Sequence, residues 1–258
     1  MTPTAAYRSL YRLLDAAINR AIYVSRKHAG IRSPTGSHFY ASALFTLLTT
    51  KSISMRKLLP TLKPKTMPDS HWDYGSVCTL TRTILETRLA FYYLGYESCP
   101  DDEWKCRWAI FCLHDEASRT KMLEGIVVSG FTLEEQAEYD EHMRQHRATL
   151  QSNPFFSSLQ AGEQRRHLQG KQAYLHPLED IASRCGVPKE QFRFFYTFMS
   201  QHAHSFPVAY FRMDDGNRGR GVHSELEEQY HQMCMGLVVA LVQGAANEME
   251  LKFAANAA

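Results

Sequence analysis

The stretch Leu80-Thr-Arg-Thr-Ile-Leu-Glu-Thr-Arg-Leu-Ala-Phe-Tyr-Tyr-Leu94 decides the fold class of this protein. Its apolar residues return every three or four positions, which is the period of a helix with one buried face. The pattern continues in both directions, so we predict a helix from about residue 72 to residue 96. The apolar residues of this helix are Val77, Leu80, Ile84, Leu85, Leu89, Tyr92 and Tyr93.

Helical patterns recur on both sides of this segment, whereas strand patterns are scarce. We predict further helices at residues 4–28, 37–62, 100–127, 132–151, 177–185, 188–205 and 225–252. Capping-box pairs precede two of them, Thr132 with Glu135 and Ser224 with Glu227. The sequence therefore predicts an all-α protein.

A chain of 258 residues is long enough for one large domain. The helix at 132–151 is highly polar, and a polar helix either projects into solvent or belongs to a lobe of its own. We therefore predict a single helical domain, 1–258, in which residues 130–174 form a polar insert or a small lobe. The apolar side of the helix before this insert is expected to carry Trp104, Trp108, Phe111 and Cys112.

Charge is distributed unevenly along the chain. Residues 1–68 hold eleven Lys or Arg and one acid, a net charge of +10, and the remaining residues carry −8, so the whole chain carries +2. Such asymmetry is typical of an anion-binding face. It is equally compatible with basic helices that pack beside acidic ones, and the sequence leaves both interpretations open.

The cysteines and the apolar runs indicate the compartment. The six cysteines form no CxxC pair, and no secretory signal precedes them, which is typical of reduced thiols in a reducing compartment. The longest apolar run, residues 233–246, is too short to span a bilayer. We therefore expect a cytoplasmic protein with no membrane partner.

The richest chemistry lies in Phe192-Arg-Phe-Phe-Tyr-Thr-Phe-Met-Ser-Gln-His-Ala-His204. Ser200 and His204 share a helix face, and Arg193 extends that face backward. A histidine that titrates near neutrality shuttles protons, and an arginine neutralises a phosphate. Arg193 and His204 are about 16 Å apart along the helix axis, so both hold one phosphate only if a second chain completes the site. The alternative is that His202 and His204 are hydrogen-bonded residues of a helix end.

Two other groups of charged residues are candidates. Arg82 and Glu86 are spaced for an i,i+4 ion pair, which either positions a neighbouring histidine or is purely structural. The loop Asp214-Asp-Gly-Asn-Arg-Gly-Arg-Gly221 lacks the ending of a Walker loop. It either places Arg218 and Arg220 against an anionic partner or serves as a connector. We expect no metal site and no cofactor.

Three segments carry a resemblance to known proteins. They are Ser37-His-Phe-Tyr-Ala-Ser-Ala-Leu-Phe45, then Leu80-Thr-Arg-Thr-Ile-Leu-Glu86 with Phe91-Tyr-Tyr-Leu94, and finally Tyr196-Thr-Phe-Met-Ser-Gln-His-Ala-His204. In this order they resemble a family of uncharacterised bacterial helical proteins that is similar to the HEPN (higher eukaryote and prokaryote nucleotide-binding) superfamily. The resemblance covers residues 37–96 and 190–206.

The resemblance implies an up-and-down helical bundle, HEPN-like and often dimeric. Many HEPN proteins are metal-independent ribonucleases of toxin–antitoxin or anti-phage systems, and their motif is an arginine followed by four to six residues and a histidine. Carried over to this chain, the motif histidine falls on His204, but residues 197–199 at the arginine position are not basic. The motif is therefore not intact on this helix. Arg218 to His223 has the spacing but lies in a glycine-rich loop.

Two functions follow as predictions. In the first, the protein binds or cleaves RNA or nucleotides in bacterial defence or stress, and any enzyme activity is that of a metal-independent endoribonuclease. The catalytic residues are then His204 as the acid–base group, with Ser200, Arg82 and Glu86. The substrate-binding residues are Arg193, His202, Arg218 and Arg220. The expected partners are RNA or a nucleotide, a partner protein or antitoxin, and a second copy in a homodimer.

In the second, the protein is a non-catalytic helical module for protein interaction, and the same polar residues fix helix packing. Geometry separates the two predictions. Convergence of Arg82, Glu86, Ser200 and His204 in one open cleft favours the first. A His204 that is sealed in the core favours the second.

Overall fold

The computed structural model describes residues 3–63, 65–66, 68–124, 133–211, 213 and 218–254. All regular secondary structure in those residues is helical, which confirms the predicted all-α class. The elements are α1 (Ala5–Lys27), α2 (Gly36–Leu58), a 3-10 turn (Pro68–Ser70), α3 (Tyr74–Ala90), a π-helical turn (Phe91–Tyr96), α4 (Asp101–Glu124), α5 (Leu133–Gln151), α6 (Pro154–Ser158), α7 (Ala161–Leu168), α8 (Leu178–Arg184), α9 (Lys189–Ala203), α10 (Pro207–Tyr210) and α11 (Glu225–Ala254).

The long helices begin and end close to their predicted positions. The helix predicted at 37–62 ends earlier, at Leu58, two residues before Pro60. Three predicted features fall outside the described residues: the Thr132–Glu135 cap, the helix end at 125–127 and loop positions 214–217. Among the described helices, none is long and apolar enough to cross a lipid bilayer.

Side-chain caps explain where α1 and α3 begin. Thr4 Oγ1 accepts a hydrogen bond from the Tyr7 N–H at 3.2 Å, and Asp73 Oδ1 accepts one from the Ser76 N–H at 3.0 Å. Each cap satisfies one of the N–H groups that a helix start leaves without a partner. Asp73 therefore fixes the first turn of α3, the helix that the opening sequence stretch predicted.

The chain divides into two compact units, residues 1–96 with 181–258, and residues 97–180. In the first unit α3 packs against α2, α9 and α11, while α1 packs against α2 and α11. The side chains that fill this core are fully buried and apolar, and they include Tyr7, Leu14, Phe45, Leu48, Ile84, Leu85, Leu89, Met235 and Val238. The helix predicted first therefore packs against three other helices of this unit.

A buried ion pair joins α3 to α11. Arg88 Nη2 lies 2.7 Å from Glu248 Oε1, and only 2% of Arg88 is exposed. The guanidinium also faces the rings of Phe91 and Tyr92, at 5.5 and 5.8 Å from their centres. Burial raises the pKa of Glu248, and the charge of Arg88 opposes that shift. Loss of either partner leaves an uncompensated buried charge, so the pair holds the two helices in one register.

The second unit, residues 97–180, has a core of its own. Its buried side chains are Cys106, Ala109, Ile110, Leu113, Leu150 and Phe156. Arg107, also buried, lies 2.6 Å from Glu97 and 2.6 Å from Glu103. Residues 133–174 of the predicted insert belong to this unit together with α4.

The buried face of α4 differs from the predicted one. The helix turns Cys106, Ala109, Ile110 and Leu113 inward, and the four residues expected on its apolar side are only half-buried. Trp104 and Trp108 instead stack on each other, with ring centres 6.5 Å apart. Large aromatic rings cover each other on the helix surface, and smaller side chains fill the space toward α5 and α6.

Close packing of the π-helical turn against α2 requires a glycine. A Cβ on Gly95 would lie 2.7 Å from Ala41 Cα and 2.9 Å from Ala41 N. Both are backbone atoms, so no side-chain rotation can relieve the overlap. Gly95 therefore sets how closely the end of α3 approaches α2.

We predict that Gly95→Ala destabilises the protein by about 1–3 kcal/mol, because the added methyl group forces the two backbones apart. The measurement is the free energy of unfolding from urea denaturation followed by circular dichroism. Gly236→Ala in α11 is the matched control, since a Cβ there meets nothing within 4 Å. That variant should gain about 0.5–1 kcal/mol from helix propensity. Equal changes in both variants would contradict the close approach at Gly95.

Candidate functional site

Arg82 of α3 and His204 at the end of α9 meet at the surface of the first unit. Arg82 Nη1 donates a hydrogen bond to His204 Nε2 over 2.9 Å. The packing of α3 against α9 creates this contact between residues 122 positions apart. His204 is exposed, and 16% of the Arg82 side chain is exposed. The pair therefore borders solvent and is not sealed in the core.

Neighbouring side chains hold the Arg82 guanidinium in place. Its Nε donates to Glu86 Oε1 at 3.2 Å, its Nη2 donates to the Tyr196 hydroxyl at 3.1 Å, and its carbon lies 4.8 Å from the centre of the Tyr196 ring. Burial acts to lower the pKa of Arg82, but the hydrogen bonds with Tyr196 and Glu86 outweigh it and raise the pKa. A guanidinium fixed in this way is a ready donor to an anion.

His204 is the C-cap residue of α9. Its backbone N–H donates to the Ser200 carbonyl at 3.1 Å, and its ring lies 5.4 Å from the ring of Phe206. Because an arginine only donates, the contact with Arg82 makes Nε2 of His204 an acceptor, which places the proton of a neutral imidazole on Nδ1. An exposed imidazole with an acceptor nitrogen beside a guanidinium has the arrangement of a general base next to an anion site.

Ser200 lies one helical turn before His204, as predicted, but its hydroxyl bonds within its own helix. Ser200 Oγ donates to the Tyr196 carbonyl at 2.5 Å. Such back-bonding to the carbonyl four residues earlier is common for serine in a helix. The structure thus brings Arg82, Glu86 and His204 together, with Tyr196 as an additional member, and gives Ser200 a bond to the backbone.

Lys51 of α2 places a further cation near Glu86. Its Nζ donates to Thr87 Oγ1 at 2.8 Å and to the Thr83 carbonyl at 3.3 Å. Burial lowers the pKa of Lys51, and the charge of Glu86 opposes that shift. Sequence reasoning missed both Lys51 and Tyr196. Tyr196 lies four residues before Ser200, so the helical period puts it on the same face of the helix as Ser200 and His204. Its bond with Arg82 depends on the packing of α3 against α9, which the period does not predict.

The four predicted substrate-binding residues differ in accessibility. Arg193 and Arg220 are exposed, whereas Arg218 is only 8% exposed. The His202 ring packs edge-on against Tyr74, with centres 5.0 Å apart. Burial lowers the pKa of His202, and the charge of Arg218 adds to that shift. Arg193 and Arg220 are therefore the two exposed members of this set.

Sequence reasoning also missed a buried polar cluster at the start of α11, formed by His223, Glu227, Glu228 and His231. Glu228 Oε2 accepts from His223 Nε2 at 2.6 Å, and its Oε1 accepts from the Thr4 N–H at 3.0 Å. Burial acts to raise the pKa of Glu228, but these hydrogen bonds outweigh it and lower the pKa. His231 Nδ1 donates to the Glu227 carbonyl at 2.9 Å.

The predicted capping pair at the start of α11 is half formed. Ser224 Oγ accepts from the Glu227 N–H at 3.2 Å, as a cap does. The Glu227 carboxylate does not turn back to Ser224, since its Oε1 accepts from the Gly219 N–H at 2.6 Å. Burial raises the pKa of Glu227, although that hydrogen bond opposes the shift. Glu227, which was predicted to cap α11, thus joins α11 to the preceding loop through its bond with Gly219.

Comparison with known proteins identifies the family. The chain matches a family of unknown function, DUF5677, over residues 39–220, and since this span is most of the chain, the protein belongs to that family. The matched span includes Arg82, Tyr196 and His204. The comparison found no match among curated proteins and none among solved structures. The family description names no activity, so the resemblance to HEPN proteins stays a prediction.

We predict that His231 makes the protein less stable in acid. Burial lowers the pKa of His231 from the ordinary value of 6.5 to about 4. Between these pH values the unfolded chain binds a proton that the folded chain does not, so stability is lost as the pH falls through this window. The shift corresponds to about 3 kcal/mol of unfolding free energy. Urea denaturation at about pH 7 and about pH 4 measures it.

The variant His231→Asn isolates this contribution, because the amide nitrogen of asparagine stands close to the position of Nδ1 and donates to the Glu227 carbonyl, but the amide does not titrate. It should lose about 3 kcal/mol less than the wild type over the same pH interval. An identical pH dependence of the two proteins would show that His231 is not the group responsible.

Proposed function

We propose that this protein binds single-stranded RNA at the surface formed by α3 and α9, and that it cleaves RNA there as a metal-independent endoribonuclease. The observation that carries the proposal is the 2.9 Å contact between Arg82 and the exposed His204. It supplies an arginine and a histidine side by side. The arginine position of the HEPN motif, residues 197–199, holds no basic residue in this chain. The resemblance to HEPN proteins supports the same reaction class.

The arrangement assigns a role to each group. A phosphate of the RNA accepts hydrogen bonds from the guanidinium of Arg82, which releases His204 Nε2 from its own bond to Arg82. His204 then takes the proton of the adjacent 2′-hydroxyl as that oxygen bonds to phosphorus. The bond from phosphorus to the 5′-oxygen breaks, and this oxygen takes a proton from solvent. Glu86 and Tyr196 keep Arg82 pointed at the developing charge.

Exposed aromatic rings on α9 and in the segment that follows it suit a single strand of RNA. Phe206 is 47% exposed, Phe211 75% and Phe194 57%. Unpaired bases stack on exposed aromatic rings without regard to sequence, at about 1–3 kcal/mol per base. Phe206 also lies beside His204, so a base stacked there brings its phosphate toward Arg82. The exposed Arg193 on α9 adds positive charge for the strand.

A non-catalytic interaction module is the second candidate, and the same exposed surface favours it. Phe206, Val208, Tyr210 and Phe211 follow one another within a short segment, and at least 45% of each is exposed. Exposed apolar groups of this kind also mark protein–protein interfaces, whether with a partner protein, an antitoxin or a second copy. Absence of RNA binding together with a concentration-dependent mass in sedimentation would favour this candidate.

Loss of the acid–base group should reduce cleavage strongly. We predict that His204→Ala cleaves a short single-stranded RNA about 10²–10⁴-fold more slowly than the wild type, since this is the usual contribution of general acid–base catalysis. Cleavage is followed on denaturing gels with and without a chelator, and the chelator should have no effect. His142→Ala, a histidine of the second unit, is the control. Equal cleavage by all three proteins would identify a contaminating nuclease and end the proposal.

Binding should depend on Arg82 and on salt. We predict that Arg82→Ala weakens RNA binding by about tenfold or more, because a charge-assisted contact to phosphate is lost. The slope of log affinity against log salt should fall by about 0.7, the value for one phosphate contact on a single strand. Fluorescence anisotropy over a salt series measures both. An unchanged slope would place Arg82 outside the RNA contact.

A further inference from the structure

A polar cavity opens between the first turn of α3, the end of α9 and the loop before α11. Its volume is about 350 Å³, within the range of small-molecule sites. All its lining residues belong to the first unit, and those used below are Ser76, Thr79, His202, Ser205 and Glu227. His202 was among the predicted substrate-binding residues.

Glu227 lines this cavity, and one of its carboxylate oxygens lacks a partner. The residue has no exposed surface, and its Oε1 is bonded to the Gly219 N–H. Its Oε2 is buried and has no hydrogen-bond partner in the described chain. A buried carboxylate oxygen without a donor is costly, and a ligand that donates a hydrogen bond removes that cost.

His202 presents a second atom of this kind. Its Nε2 is buried and lacks a hydrogen-bond partner in the described residues. Its ring is held edge-on by Tyr74 and Phe198, at 5.0 Å from each ring centre. Two residues that each hold an unsatisfied polar atom, one on α9 and one on α11, thus line one cavity. A ligand with hydrogen-bonding groups of its own could satisfy both atoms.

The cavity lies beside the Arg82–His204 pair. Thr79 lines it, and Arg82 follows on the same helix about 4.5 Å further along the axis. His202 and Ser205, which also line it, stand on either side of His204 in the chain. An RNA strand with one phosphate at Arg82 therefore has a neighbouring base at the mouth of the cavity.

We propose that this cavity binds one unpaired base of the RNA and selects bases that carry an amino group, with Glu227 Oε2 as the acceptor. The inference rests on the proposed function, because it assumes that RNA lies at Arg82 and His204. Adenine, cytosine and guanine each offer an exocyclic amino donor. Uracil has none, and its single ring N–H lies between two carbonyl oxygens that a carboxylate repels.

The test compares the binding of four short single-stranded RNAs, each made of one base, to the wild type and to Glu227→Gln. In the variant the amide oxygen keeps the bond to Gly219 and the NH₂ group faces the cavity, so an acceptor becomes a donor. We expect the wild type to bind the RNAs of adenine, cytosine or guanine about tenfold more tightly than that of uracil. Glu227→Gln should abolish or reverse this preference. Glu225→Gln, exposed on the same helix, should keep it.

Free nucleosides separate this inference from the proposed function, because they carry no phosphate. Titration of adenosine, cytidine, guanosine and uridine, followed by isothermal titration calorimetry, measures the cavity alone. Arg82→Ala should leave nucleoside binding unchanged and weaken RNA binding.

The outcomes are distinct. Equal affinity of the wild type for all four RNAs and all four nucleosides overturns the inference, and it leaves the proposed function standing if RNA binding still depends on Arg82. Nucleoside binding with the expected preference but without RNA binding supports the cavity assignment and overturns the proposed function. If Glu227→Gln does not unfold cooperatively, the nucleoside preference of the wild type decides the inference.

Discussion

The packing of α3 against α2, α9 and α11 is the constraint on which the first unit depends. Two arginines of this helix lie in different surroundings. Arg88 is buried and paired with Glu248 of α11, which ties the helix to the core. Arg82 reaches the surface and binds residues of α9. Because Gly95 fixes the approach to α2, the helix has little freedom to shift, and Arg82 is held where His204 ends α9.

The candidate site therefore forms between helices and not within one. An arginine and a histidine that share one helix face need a fixed spacing in the sequence. Arg82 and His204 need only the contact between α3 and α9, so no spacing rule describes them. An arginine and a histidine thus stand 2.9 Å apart although no arginine precedes His204 at residues 197–199 of α9. The exposed ring of Phe206 lies beside His204, and His202 and Ser205 line the neighbouring cavity.

The role of the basic residues at the start of the chain also depends on how the helices pack. The strongly basic first 68 residues left two interpretations open, an anion-binding face or packing beside acidic helices. Part of the basic charge is paired in the fold, since Arg20 lies 2.8 Å from Glu250 of α11 and Arg56 lies 2.7 Å from Asp15. The anionic ligand of the proposed function is instead placed at α3 and α9, where a single guanidinium is held by Glu86 and Tyr196.

The sequence by itself determined the long helices of this protein, but it did not predict the short helices α6, α7 and α10. Apolar spacing and capping residues are local features, and they placed α1, α3, α9 and α11 within a few residues of their observed bounds. It also singled out Arg82, Glu86 and His204. Only the tertiary structure decided that these three meet, that Tyr196 joins them and that Glu227 leaves an oxygen without a partner beside a cavity. The physical reason is that such contacts depend on how helix faces pack, and residues far apart in the chain carry no periodic signal of their pairing.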